Sequence, residues 1–229
     1  MTTIERPAPV STRPGGVSRF AGLGFVAFFI AASTLVLTGP SVYEGGSLDE
    51  YSAAYADGAR ELPSSLAAFI LMPVAAALLL WAVTHISTVL TQGAPESVAG
   101  RVARLGAVAM ATLMTAGAAA SSAAEHLASG TGDGYPADPA AGYAIDMLGS
   151  QVSAVSSWGG AIVLVGLGLV ARRTGGLPGW LVWAGLVAAP LLVISWVLFN
   201  LPSLVFFLWL AVAGLVATPA ATATPTAAG

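Results

Sequence analysis

Apolar runs of about 17 to 25 residues, the length a helix needs to cross a ~30 Å hydrocarbon layer, recur six times along the chain between short polar segments. They predict spans at Phe20 to Thr38, Ser65 to Leu90, Leu105 to Ala124, Ile145 to Ala171, Trp180 to Phe199 and Pro202 to Ala217. The expected fold is all-α: one six-helix transmembrane bundle over 20–217, with disordered cytoplasmic tails at 1–19 and 218–229. Leu62-Pro63, Leu177-Pro178 and Leu201-Pro202 mark helix starts, where proline's missing N–H costs nothing. Pro73 and Pro190 instead fall inside spans, where a lost backbone bond predicts kinks. Each is followed by a tryptophan, Trp81 or Trp196, a faint sign of three-plus-three repetition.

The first loop carries its own helical signal. Ser47 to Glu50 has capping-box spacing, and Leu48, Tyr51, Tyr55 and Leu62 follow at roughly helical intervals. A short interfacial helix is expected there, with its tyrosines at headgroup depth. Gly, Pro and Asp fill Gly130 to Gly142, which predicts an irregular segment.

Composition settles the solvent. Only 8% of the 229 residues are charged and 56% are hydrophobic, with a mean hydropathy of +0.83, against roughly a quarter charged in a soluble domain. Helices in lipid associate through close packing and hydrogen bonds rather than by escape from water, which suits the abundance of Ala and Gly. The run from Ala116 to Ala124 has almost no bulk and predicts an interior helix whose small residues form a packing seam or line a narrow cavity.

Arginine placement gives an orientation. Seven of the eight arginines fall on one side of a six-span arrangement: Arg6, Arg13 and Arg19, then Arg101 and Arg104, then Arg172 and Arg173. Arg60 is alone on the other side. The positive-inside rule then puts both termini in the cytoplasm of a bacterial plasma membrane. Nine of the eleven acidic residues fall on the outer side. A cleavable signal peptide ending near Gly39 is the rival reading of the first span, but its apolar run is long, and cleavage would leave five spans.

Several chemistries are excluded. With no cysteine there are no disulfides, thiolate nucleophiles or cysteine-ligated clusters, and with no lysine no retinal or pyridoxal Schiff base. No basic cluster suggests a nucleic acid. His85 and His126 lie at opposite depths, against a bis-histidine haem. Gly166-Leu167-Gly168 sits inside a span with no preceding strand, and Asp133 to Asp138 has the wrong register for an EF-hand loop. Trp180 and Trp183 follow inner arginines as an interfacial belt does.

Ionisable residues at membrane depth are the functional candidates. Glu125 and His126 end the third span and Asp146 begins the fourth, with Ser150, Ser153 and Ser157 stepping inward below it and Gln151 alongside. Glu125, His126, Asp146, Ser150, Gln151 and Ser153 therefore define a candidate outer-half ligand site. The alternative is that they only cap helix ends at the wet interface. Two carboxylates and one histidine are too few to specify a metal or a hydrolase, so no catalytic residue, metal or cofactor is expected.

Arg172-Arg173-Thr174-Gly175-Gly176-Leu177-Pro178-Gly179-Trp180-Leu181-Val182-Trp183-Ala184-Gly185, with Phe207-Leu208-Trp209-Leu210 after a hairpin and Asp49 to Asp57 in the first loop, resembles a broad group of six-helix membrane proteins without assigned function, common in high-GC actinobacteria. The resemblance implies the six-span layout and carries over no site residue. Three functions are in view: a non-enzymatic accessory subunit or sensor of a lipophilic or small ligand, a transporter or channel for a cation or small molecule, and an outer-face enzyme using Glu125 and His126. The expected partners are the lipid bilayer and either another membrane protein or a second copy of the chain.

Overall fold

The computed structural model describes residues 16–37, 47–56, 58–92, 97–130, 136–194 and 201–219. The tails expected to be disordered fall largely outside these residues, as do Gly39 and Trp196. All the regular structure among the described residues is helical. After a 3-10 turn at Ser18–Phe20 come α1 (Ala21–Leu37), the short α2 (Leu48–Tyr55) and α3 (Glu61–Leu66). A π-helical turn, Ala67–Leu71, joins α3 to α4 (Met72–Leu90). Then follow α5 (Val98–Ser129), α6 (Pro139–Thr174), α7 (Gly179–Val193) and α8 (Leu201–Val216).

Four of these described stretches, beginning at Ser18, Glu61, Val98 and Pro139, are long and apolar enough to cross a membrane; α7 and α8 are apolar but shorter. Large apolar side chains face outward all round, among them Leu62, Phe69, Leu105, Trp158, Val187 and Leu208, each more than half exposed. Such a surface belongs to a membrane helical bundle rather than to a chain folded in water.

Local chemistry explains the boundaries. Pro73 cannot donate to a carbonyl one turn back, and the ladder widens just before it: Met72 N–H reaches Ala67 O, five residues away. The expected kink is thus a π turn. Gly130 and Gly175 end α5 and α6 in left-handed backbone, at φ 63° and 68°, where a Cβ would be strained. Asp138 caps α6 by accepting from Ala141 N–H at 3.0 Å. The segment predicted to be irregular up to Gly142 is therefore helical from Pro139 on, and Gly142 is buried inside α6.

The bundle is organised around an antiparallel seam between α5 and α6. Gly106 faces Gly159, Gly117 faces Gly149, and Gly142 faces Ala124 and Ala128. At each place an added Cβ would stand within 3 Å of the partner's backbone, so small residues set the interhelical distance. Only one stripe of α5 lies in this seam. Val102, Leu105 and Val108 face outward, which corrects the expectation of an interior helix: α6, with Gly149, Ser156, Gly160 and Leu164 buried, is the more enclosed of the two.

Chain ends meet as α1 packs on α8. Phe25 and Phe29 lie against Phe207, with ring centroids 5.5 and 4.7 Å away, and Phe25 also meets Phe206. Trp209 reaches from α8 into α7, donating its indole N–H to Leu181 O at 2.7 Å.

Two ends of the bundle differ in charge. Arg19 lies beside Gly214, and Gly176 beside Leu90 and Thr218, so the start of α1 and the ends of α4, α6 and α8 share one end. Arg101 and Arg104 join it at the start of α5, and Arg172 stands 5.7 Å from the exposed Trp183 ring. Arg60 is at the opposite end, with α2.

Candidate functional site

At that opposite end, α2 lies across the end of α5 and the beginning of α6. Its local structure follows from Ser47, whose hydroxyl accepts from Glu50 N–H at 3.2 Å while Glu50 Oε2 accepts from Ser47 N–H at 2.9 Å. This capping box offsets the cost of so short a helix. The tyrosines pack against protein. Tyr51 and Tyr55 turn inward, 3% and 4% exposed, against Ala128 and Tyr143. Their centroids are 4.5 Å apart, and Tyr143 meets Tyr51 edge-on at 5.4 Å.

Beneath this aromatic roof lie two acids. Glu125, from α5, is buried at 3% exposure. Ser64 of α3 lies near its carboxylate, with its hydroxyl donating to Glu61 O at 3.3 Å, while Oε2 is enclosed with no hydrogen-bond partner. Asp146, from the first turns of α6, has the Ser121 hydroxyl near its carboxylate. Ser64 Oγ and Ser122 Oγ are 3.5 Å apart, so hydroxyls line the floor. Arg60 brings positive charge toward Glu125 and packs its guanidinium 5.7 Å from the Tyr55 ring. Tyr51 has a buried hydroxyl with no hydrogen-bond partner, and the charges of both Asp146 and Glu125 act on it.

Burial dominates the electrostatics of the two phenols. It raises Tyr51 far above its ordinary value, with the negative charge of Asp146 next in weight, then Tyr55 and Glu125. Tyr55 is pushed up to about 12, by burial first and then by Glu125 and Asp146, with Arg60 opposing. Both therefore keep their hydroxyl protons at neutral pH. Since unfolded tyrosines ionise near 10.0, the contribution of this packing is fully present below pH 10.0 and is lost as pH rises through the folded-state values. Melting temperature should accordingly fall steeply between about pH 10 and 12, and a Tyr51→Phe/Tyr55→Phe variant should show a flatter decline. Equal slopes in the two proteins would contradict the assignment.

Of the six residues singled out in the sequence, Glu125 and Asp146 are brought to one cluster. His126 is exposed and its Nδ1 lies 2.9 Å from Ser122 O, one turn back on its own helix. Ser150 donates to Asp146 O at 2.7 Å, and Ser156 and Ser157 to Ser153 O and Ala154 O in the same way. Those hydroxyls serve their own helix backbone rather than an inward polar route. Ser153 fills the seam beside Gly117, and Gln151 is exposed.

Sequence reasoning missed Tyr51, Tyr55, Tyr143, Arg60, Ser64, Ser121 and Ser122. The signals were there in part: a lone outer arginine, and two tyrosines four residues apart in a predicted helix. The arrangement gathers carboxylate and hydroxyl oxygens, of which Glu125 Oε2 and the Tyr51 hydroxyl are enclosed without a hydrogen-bond partner. Among the described residues, no three His, Cys, Asp or Glu side chains gather as a metal-ion group. Compared with known proteins, the chain matches no family model, no curated protein and no solved structure.

Proposed function

We propose that this is a non-enzymatic, six-crossing plasma-membrane protein, an accessory subunit or sensor, that binds a small ligand in the cluster under α2. The observation that carries this reading is the enclosed Glu125 Oε2, which has no hydrogen-bond partner and belongs to a carboxylate whose charge acts on Tyr51 and is acted on by Asp146. A buried acceptor without a donor costs about 1–3 kcal/mol, more when charged, and a ligand that supplies the missing contact recovers that cost. Enzymatic use of His126 is disfavoured by its exposure and its engagement with Ser122 O.

The six crossings follow if α7 and α8 also cross. Their 15 and 16 residues give about 23 Å at ~1.5 Å per residue, a short crossing that bilayer thinning accommodates. Arg19, Arg101, Arg104, Arg172 and Arg173 then lie on the cytoplasmic side with both termini, in the layout of the actinobacterial group that the chain resembles. The outward apolar surface leaves lipid, a membrane-protein partner or a second copy as its neighbours.

Because the chain has no native cysteine, single replacements report cleanly. An impermeant maleimide added to intact cells should label Ala53→Cys in α2 but label Arg173→Cys only after permeabilisation. Labelling of position 173 from outside would overturn the orientation. Reconstituted protein that moves a solute in an Asp146-dependent manner would replace sensing with transport.

A further inference from the structure

Three features of the cluster restrict what can occupy it. The first is donor chemistry: the polar atoms gathered there are carboxylate oxygens of Glu125 and Asp146 and hydroxyl oxygens of Tyr51, Ser64, Ser121 and Ser122. Oxygen-only sets suit hard cations, whereas soft or borderline metals prefer imidazole and thiolate. The second is charge. Two carboxylates share the cluster with one guanidinium, that of Arg60, while His126 stands at the exposed edge and Glu61, bound to Ser129 Oγ, is not among the charges that act on Glu125, Asp146 or the two tyrosines. One negative charge is left over, which a single positive charge balances and a divalent ion would overshoot.

The third is space. An organic ammonium needs open aromatic faces, but Tyr51 and Tyr55 are packed against each other, Tyr143 closes on Tyr51, and Arg60 lies against Tyr55. The rings are spent on one another. Among the described residues, two oxygens of the cluster, Glu125 Oε2 and the Tyr51 hydroxyl oxygen, are enclosed and have no hydrogen-bond partner.

We propose that the cluster under α2 is a binding site for a monovalent alkali cation, sodium by its size and hardness, held between Glu125 Oε2, the Asp146 carboxylate and the Tyr51 hydroxyl oxygen. Bound there, the ion joins α2 through Tyr51 to α5 and α6 through the two acids, so occupancy decides how firmly the roof is held. This deepens the reading of the cluster as a ligand site and rests on it.

The test is thermal unfolding of the purified full-length protein in detergent at constant ionic strength, with choline chloride replaced stepwise by sodium, lithium, potassium or caesium chloride. Sodium is expected to raise Tm over choline by about 5 °C at saturation, with caesium least effective. Glu125→Gln and Asp146→Asn should each abolish the shift. Tyr51→Phe, which keeps the ring and only removes the oxygen, should raise the half-saturating sodium concentration about tenfold, and Gln151→Ala should leave it unchanged. The inference is overturned if sodium and choline give the same Tm, or if the sodium shift survives Glu125→Gln. A Glu125-dependent shift given by ethanolamine or glycerol but not by sodium would sink the cation and leave the ligand site standing. With no Glu125-dependent shift from any solute, both would fall.

Discussion

Gly159→Leu is expected to be the most damaging single substitution in the bundle, removing about 3 kcal/mol or more of stability and with it most of the folded protein recovered from membranes. The reason is what the new side chain would meet. A Cβ at Gly159 would stand 2.6 Å from both Gly106 O and Met110 N, and one at Gly106 would stand 2.8 Å from Gly159 O. These are backbone atoms, which can retreat only if α5 and α6 separate. Separation at this point would also loosen Gly117 against Gly149 and Gly142 against Ala124, since all three contacts belong to one seam. In lipid no hydrophobic penalty resists it, because the exposed surfaces find acyl chains; packing and hydrogen bonds are what is lost. Gly24→Ala is the control: there a Cβ meets only the flexible Leu78 side chain, at 3.2 Å, so its effect should stay within about 0.5 kcal/mol. Size-exclusion profiles and melting curves in detergent compare the two. If Gly159→Leu melts with Gly24→Ala, the seam does not set the packing.

That seam is partly legible in the sequence, and so are the long helices, because a helix in lipid writes itself as an unbroken apolar run. Capping was readable too: Ser47 and Glu50 form the box that their spacing predicts. What spacing could not give was the partner of each face. Tyr51 and Tyr55 sit on one side of α2 whether that side meets lipid or protein, and the choice was made by Ala128 and Tyr143, more than seventy residues further along. The serine stripe failed for a different reason. Ser150, Ser153 and Ser157 have the spacing of an open polar lane, but the hydroxyls of Ser150 and Ser157 turn onto their own helix backbone and Ser153 fills the seam beside Gly117. Pro73 announced a break in the second long rod without giving its form. Glu125 and Asp146 were the legible half of the cluster, since carboxylates at helix ends stand out against an apolar chain; the hydroxyls beside them come from α2, α3 and α5 and the arginine from the turn before α3, which only folding brings together.

The arginine provides the second large effect. Arg60→Gln removes the guanidinium facing Glu125 and leaves two enclosed carboxylates with hydroxyl donors alone. Removing one member of a fully buried charge pair costs about 3–5 kcal/mol; Arg60 is only half-buried, and solvent screening reduces the expected loss to about 2 kcal/mol. The sign of the coupling separates charge from packing. If Arg60 acts by balancing Glu125, then Glu125→Gln added to Arg60→Gln should restore most of the stability, because the carboxylate left without its cation is then gone. If Arg60 acts through its stem against Tyr55, at 5.7 Å from ring to guanidinium, the double variant should be no better than the single one. Melting temperatures of the four proteins in sodium-free choline buffer give the coupling energy directly. Additive losses would remove Glu125 and Arg60 from a common cluster, and with them the electrostatic case for a ligand under α2.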